Sequence, residues 1–233
     1  TAPFTTSKLQ QDASKSLKFS TKKTMEIAQK LYEGKNLGEF GTHGLITYMR
    51  TDSVRTDDHA LTQLRDYIKE KLGDQYLSKD KILYKTKGDG KVQDAHEAIR
   101  PTSMEYEPEK IKEYLSDEEF ALYSLIWKKF ISSQMTNLIE EKTIYFFNYD
   151  KYFFRTTGKV IVFEGFKKVY GVNQDDDDEE SSNKLPKVEK EEILDQADLP
   201  KFIEKFSSPP PRFTEAGLVK ELKEKGIGRP STY

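Results

Sequence analysis

Cysteine is absent from the 233 residues, which excludes disulfides and cysteine-ligated metal sites and permits a reducing compartment. No apolar run approaches the roughly 18 residues of a membrane span, and the N-terminus lacks the pattern of a secretion signal. The chain is therefore expected to be intracellular, with no membrane partner. Strong net charge is missing as well: 38 Lys and Arg against 40 Asp and Glu leave −2, which argues against a uniformly basic nucleic-acid binder. Hydrophobic residues are modest at 35% and charged residues high at 33%. That balance favours an elongated or multi-lobed protein of one domain, or of two to three small ones, over a single sphere.

What is present is unevenly spread. Residues 1 to 30 carry six lysines, Lys8, Lys15, Lys18, Lys22, Lys23 and Lys30, against Asp12 and Glu26, whereas residues 175 to 180 are six consecutive acids. Any contact with a polyanion must then be a local groove. The acidic run, within a surface loop spanning 175 to 183, repels phosphate and offers no fixed geometry for a metal.

The most informative stretch is Gly44-Leu-Ile-Thr-Tyr-Met-Arg-Thr-Asp-Ser53. Leu45 to Met49 reads as a short strand that stops at a turn-forming cluster, which would place Tyr48 near a strand end. Side chains at i and i+2 share a face of a strand, so Tyr48 and Arg50 are expected to point the same way. A guanidinium can stabilise a phenolate that otherwise titrates near pH 10, and it can grip a phosphodiester bidentately.

Around this stretch the chain alternates helix and loop. Leu9, Ala13 and Leu17 recur by four, and Ser20 or Thr21 caps a second helix with Met25, Ile27, Ala28, Leu31 and Tyr32 on its apolar side, ended by Gly34. Asp57 or Asp58 caps a third, reaching about Leu72. In Asp94-Ala-His-Glu-Ala-Ile-Arg-Pro-Thr102 a helical turn would put His96 and Arg100 on one face before Pro101 stops it. Ser116 to Gln134 is amphipathic, with Trp127 as a core anchor. From about Thr143 the period falls to two, and runs at 144–147, 152–154 and 160–163, separated by turns at 148–151 and at Thr157-Gly158, read as an antiparallel meander. A further short strand is expected near Lys187 to Leu194, then a stiff linker at Ser207-Ser-Pro-Pro-Pro211 and a helix capped by Thr214.

The stretch Gly44 to Arg55, GLITYMRTDSVR, resembles the active-site motif of type IA DNA topoisomerases. Pro3-Phe-Thr-Thr-Ser-Lys-Leu-Gln-Gln11, the His96 segment and Gly226-Ile-Gly-Arg-Pro-Ser-Thr-Tyr233 follow in the family's order, so the resemblance covers most of the chain. Methionine at Met49 is similar to bacterial topoisomerase I, where topoisomerase III usually has proline.

The resemblance implies an α+β multidomain fold: a mainly helical, winged-helix-like domain carrying the active-site tyrosine, plus an antiparallel β arch or strap domain. It implies this division: residues 1–7 as the lead-in strand of the arch, 8–136 as the helical domain, 137–206 as the β-rich arch, and 207–233 as a linker and the start of a further helical DNA-binding domain. It also implies ATP-independent cleavage, passage and religation of single-stranded DNA through a 5′-phosphotyrosyl intermediate, relaxing negative supercoils. Tyr48 would be the nucleophile, Arg50 the phosphate and phenolate stabiliser, and His96 an aid within the phosphate-binding network. Arg100 would hold the backbone or a neighbouring carboxylate. Contacts to DNA are expected from Thr5, Gln10, Gln11, Lys22, Lys23, Thr51, Asp52, Ser53, Arg100, Arg229, Ser231 and Thr232.

The Mg²⁺ ligands of the family lie on a Toprim domain, and no Asp-x-Asp motif follows an apolar strand in residues 1 to 43. The chain is thus expected to be a fragment without its metal site and inactive alone. The intact enzyme would be a monomer acting on single-stranded or negatively supercoiled DNA in the bacterial cytoplasm, at the nucleoid. Two other readings stay open: a non-enzymatic single-strand-binding or gate module in which Tyr48 only stacks, and a topoisomerase III-like decatenase.

Overall fold

Four helices begin where a short polar side chain can accept from a free backbone N–H. In the computed structural model, which describes residues 1–85, 96–171, 184–195 and 203–232, α1 spans Thr6–Leu17 and α2 spans Thr21–Glu33. Ser20 Oγ caps α2 by accepting from Lys23 N–H at 3.1 Å. Asp57 caps α3, Asp58–Leu72, accepting from His59 N–H at 2.8 Å and Ala60 N–H at 3.4 Å. The bond from His59, followed by that from Ala60, lowers the Asp57 carboxyl below the usual carboxylate range. Between α2 and α3 lies a small antiparallel pair, β1 at Lys35–Asn36 and β2 at Thr42–His43. After the short α4, Pro108–Ile111, comes α5, Asp117–Ser132, closed at its start by a Ser116–Glu119 capping box. Thr214 caps α6, Glu215–Glu224, through Gly217 N–H at 3.0 Å.

The core gathers one face from each of the long helices before the hairpin: Leu9 and Ala13 of α1, Ala28 and Leu31 of α2, Leu64 and Ile68 of α3, and Leu122, Tyr123, Ile126 and Trp127 of α5. Phe4 and Ile99 enter the same core and form an isolated antiparallel bridge. The lead-in segment therefore packs in the helical body. A cation is also buried there. Lys129, 5% exposed, lies over the rings of Phe4 and Tyr170 and 3.7 Å from Asp12 Oδ2, which also accepts the Tyr170 hydroxyl at 2.7 Å. Burial pushes the Lys129 ammonium below its usual value while Asp12 pushes it back up. This network joins α1, α5 and the foot of the β hairpin.

Three expectations fail. The meander of short strands is one hairpin of two long strands, β3 at Ile139–Tyr149 and β4 at Tyr152–Phe163. Thr157 and Gly158 do not turn; they pair with Ile144 and Thr143 inside the ladder. A glycine in a strand interior is tolerated where the cross-strand partner's backbone supplies the register, so it is not by itself a turn signal. Residues 187–194 form no strand and contain a turn at Lys190 and Glu191. The helical turn through His96 and Arg100 is extended chain, because Ile99 N–H donates to Phe4 carbonyl at 2.8 Å and Pro101 bridges Ile46. The acidic run at 175 to 183 lies outside the described residues.

Gly165, at the foot of the hairpin, has φ +51° and a Cβ there would stand 2.3 Å from the Asn137 carbonyl oxygen. Gly165→Ala combines left-handed backbone strain with a clash against main chain. It is expected to destabilise the fold by about 3 kcal/mol, read as a lowered urea midpoint at unchanged slope. An unchanged midpoint would show that the hairpin foot can shift freely.

Candidate active site

The segment that carries Tyr48 is not the expected strand. Its backbone bonds go one at a time to separate neighbours: Leu45 N–H to Leu31 carbonyl at 2.8 Å, Thr47 N–H to Arg100 carbonyl at 2.9 Å, and Thr102 N–H back to Leu45 carbonyl at 3.1 Å. Only Ile46 makes a bridge, so no continuous ladder forms. Gly44 allows this close approach, since a Cβ there would meet Tyr32 carbonyl oxygen at 2.7 Å.

Both neighbours of Tyr48 are anchored. Thr47 Oγ1 donates to Ala98 carbonyl at 2.7 Å and accepts from Arg100 N–H at 3.0 Å. Met49 is 1% exposed, and its carbonyl accepts from Thr6 Oγ1 at 2.7 Å. Thr6 Oγ1 in turn accepts from Thr51 N–H at 2.8 Å, so the N-terminus of α1 clasps the loop. The apolar residues Leu45, Ile46 and Met49 are pulled into the core, leaving Tyr48 and Arg50 outward.

Tyr48, 40% exposed, sits between two rings: Tyr32 edge-on at 5.4 Å between centroids and His96 tilted at 6.0 Å. Among the described residues its hydroxyl forms no hydrogen bond and Arg50 forms no ion pair. Both line an open groove of about 900 Å³, whose far wall is α2 and whose edge is Pro230-Ser231. Three cations, Lys22, Lys30 and Arg50, face two anions, Glu26 and Glu33, so the groove is slightly positive although the chain is not.

Of the sequence-derived candidates, Gln10, Lys22 and Ser231 line this groove with Tyr48 and Arg50, and His96 flanks the tyrosine. Gln10 is 2% exposed, and its Oε1 has no hydrogen-bond partner among the described residues. Others are committed elsewhere. Lys23 pairs with Glu118. Arg100 is clamped by Glu97, with Nη2 at 2.7 Å and Nε at 3.0 Å from the same oxygen. Thr51 and Ser53 are buried, and their side chains accept from the backbone of the same loop. Thr5 Oγ1 and Asp52 meet Lys223 of α6 at 3.2 and 4.0 Å, and burial lowers that ammonium below its usual value while Asp52 raises it. Thr232 Oγ1 caps the backbone of Arg229 at 2.8 Å, and Gln11 is half-buried on α1.

Sequence reasoning missed two contributors. Tyr32 reads as an apolar-face residue of α2 but is 41% exposed against Tyr48. Met25, Glu26, Gln29 and Glu33 join the expected Lys22 in the groove wall, and their spacing of three and four was a visible second face of that helix. Among the described residues no group of three or more His, Asp or Glu could hold a metal ion.

A family model described as DNA topoisomerase matches residues 1–233. DNA topoisomerase 1 of Rickettsia conorii is 47% identical over 234 residues, covering 99% of this chain and 30% of its own length. The Rickettsia felis protein of the same name is 46% identical over 233 residues, with the same coverage. The structure of full-length topoisomerase I from Thermotoga maritima superposes with TM-score 0.77 at 37% identity, covering 100% of this chain and 36% of that one. A mixed helical and antiparallel chain matched over its whole length belongs to the type IA DNA topoisomerase family and is similar to its bacterial topoisomerase I members.

Proposed function

We propose that this chain carries the strand-cleaving tyrosine of a topoisomerase that relaxes negatively supercoiled DNA without ATP. It spans 30% of the length of the curated relatives it matches, and the activity belongs to the intact polypeptide. The observation that carries the reading is the juxtaposition, in one groove and on the family's motif, of an exposed phenol and a guanidinium that has no ion pair among the described residues.

Cleavage is a transesterification. Tyr48 Oη attacks phosphorus, its proton is lost, the bond from phosphorus to the 3′-oxygen breaks, and that oxygen leaves protonated. A 5′-phosphotyrosyl bond remains. Its energy matches that of the phosphodiester, so religation by the reverse step needs no nucleotide. Arg50 would bind the non-bridging oxygens and offset charge as the transition state forms. His96, beside the phenol, would add a donor to the same phosphate. Gln10, Lys22 and Ser231 are the candidates for holding a single strand along the groove; Thr5, Gln11, Asp52, Arg229 and Thr232 remain candidates for contacts outside its lining.

Mg²⁺ is the metal the family implies, and the described residues of this chain do not fit it, so no step here is assigned to it. We further infer the division near residues 137 and 207, with the segment 1–7 joined to the helical body where Phe4 is buried. A monomer in the bacterial cytoplasm fits this role; none of the described helices is long and apolar enough to cross a membrane.

The test is chemical. Denaturing the intact polypeptide on a labelled single-stranded oligonucleotide, digesting it and sequencing the DNA-linked peptide should give a peptide bearing Tyr48 joined to a 5′-phosphate. A link through another residue, or to a 3′ end, would overturn the reading.

A further inference from the structure

The anchoring of Thr47 and Met49 fixes the backbone of Tyr48 but leaves its ring free to rotate about two side-chain torsions. The hydroxyl has no hydrogen bond among the described residues to restrain it. What restrains the ring is contact with other rings, and Tyr32 is the nearer, at 5.4 Å and 68° between planes. That geometry sets the positive edge of one ring against the negative face of the other, the arrangement aromatic pairs prefer.

Tyr32 is well mounted for such a role. It lies in the last turn of α2, one residue after the fully buried Leu31, whose carbonyl accepts Leu45 N–H at 2.8 Å. Its own carbonyl packs against Gly44. The two tyrosines thus stand on one frame joined three residues before Tyr48. Tyr32 is 41% exposed, so the core does not need its ring, and its hydroxyl makes no hydrogen bond among the described residues.

We propose that Tyr32 is a positioning residue for the reaction: its ring holds the Tyr48 phenol in the orientation from which Oη reaches phosphorus in line. The inference rests on Tyr48 being the nucleophile. Attack requires the reacting atoms within about 3.5 Å and aligned, and a displacement of about 1 Å can cost up to about a hundredfold in rate. A freely rotating ring loses part of this.

The test measures single-turnover cleavage of a labelled oligonucleotide by the intact polypeptide, across DNA concentrations up to saturation. Tyr32→Leu should lower the saturated rate roughly tenfold, leave the half-saturating DNA concentration within about twofold, and keep the unfolding midpoint. Tyr32→Phe should restore the rate, since the ring and not the hydroxyl is used. An unchanged rate in Tyr32→Leu overturns the proposal. So does equal loss in both variants, which would make the hydroxyl the agent, or weakened binding with an unchanged saturated rate, which would make Tyr32 a stacking platform for a base. Tyr48→Phe run alongside separates the two readings: adducts surviving in that variant would sink the nucleophile itself, whereas adducts lost there with Tyr32→Leu fully active would sink the positioning role alone.

Discussion

Tyr48→Phe should abolish covalent DNA adducts in the intact polypeptide while changing single-strand affinity by less than about tenfold. The substitution removes one oxygen and keeps the ring. The ring's contacts with Tyr32 and His96 survive, and no hydrogen bond among the described residues is lost with the hydroxyl. Stability should therefore be unaltered. In the proposed reading affinity would rest on phosphate contacts from groove-lining cations such as Arg50 and Lys22, which the substitution does not touch. Chemistry, in contrast, should stop, because in the proposed mechanism the phenol oxygen is the attacking atom. Adduct gels and filter binding on the same preparation measure the two quantities; adducts persisting at the unmodified level would remove Tyr48 from the mechanism.

Arg50→Ala should lower cleavage by on the order of a hundredfold or more, the usual cost of deleting one preorganised donor to a developing anionic oxygen. Its guanidinium is exposed and has no ion pair among the described residues, so its positive charge is available to a phosphate and its loss leaves no stranded partner. The unfolding midpoint should hold. Arg50→Lys should recover only part of the rate, since a single ammonium lacks the planar fork that grips two oxygens at once. Binding should weaken evenly across DNA sequences, with the salt slope reduced by about one. Full activity in Arg50→Ala would show that the charge is supplied from elsewhere.

Arg100 shows why residue type alone does not identify such a group. Both arginines sit near the motif, yet Arg100 is held by Glu97 and by the Pro101 carbonyl, with its side chain only 12% exposed. A paired guanidinium positions its own loop, whereas an unpaired one can take a ligand. The pairing depends on how residues 96–101 run across Ile46 and Phe4, which no local pattern encodes.

By itself the sequence determined the five long helices and the family. Thr214 caps its helix as expected and Ser116 stands at the expected start of α5, while of the pairs the sequence left open Ser20 and Asp57 are the caps; the signal is legible because a cap is settled within three or four residues of chain. The tyrosine motif was legible because Gly44 to Arg55 is a contiguous string that resembles the family's motif. Tertiary structure decided the rest. Leu45 to Met49 has strand-like composition but no flanking ladder, since its partners lie at Leu31 and at Ala98 to Thr102. Hydrogen-bond partners 14 to 57 residues away cannot be read from period or propensity. For the same reason Thr157-Gly158 became mid-strand, Lys129 went inward to Asp12, and Tyr32, placed by helical spacing on an apolar face, came to stand exposed against Tyr48. In each case the outcome was set by which distant backbone or charge the packed chain brought alongside.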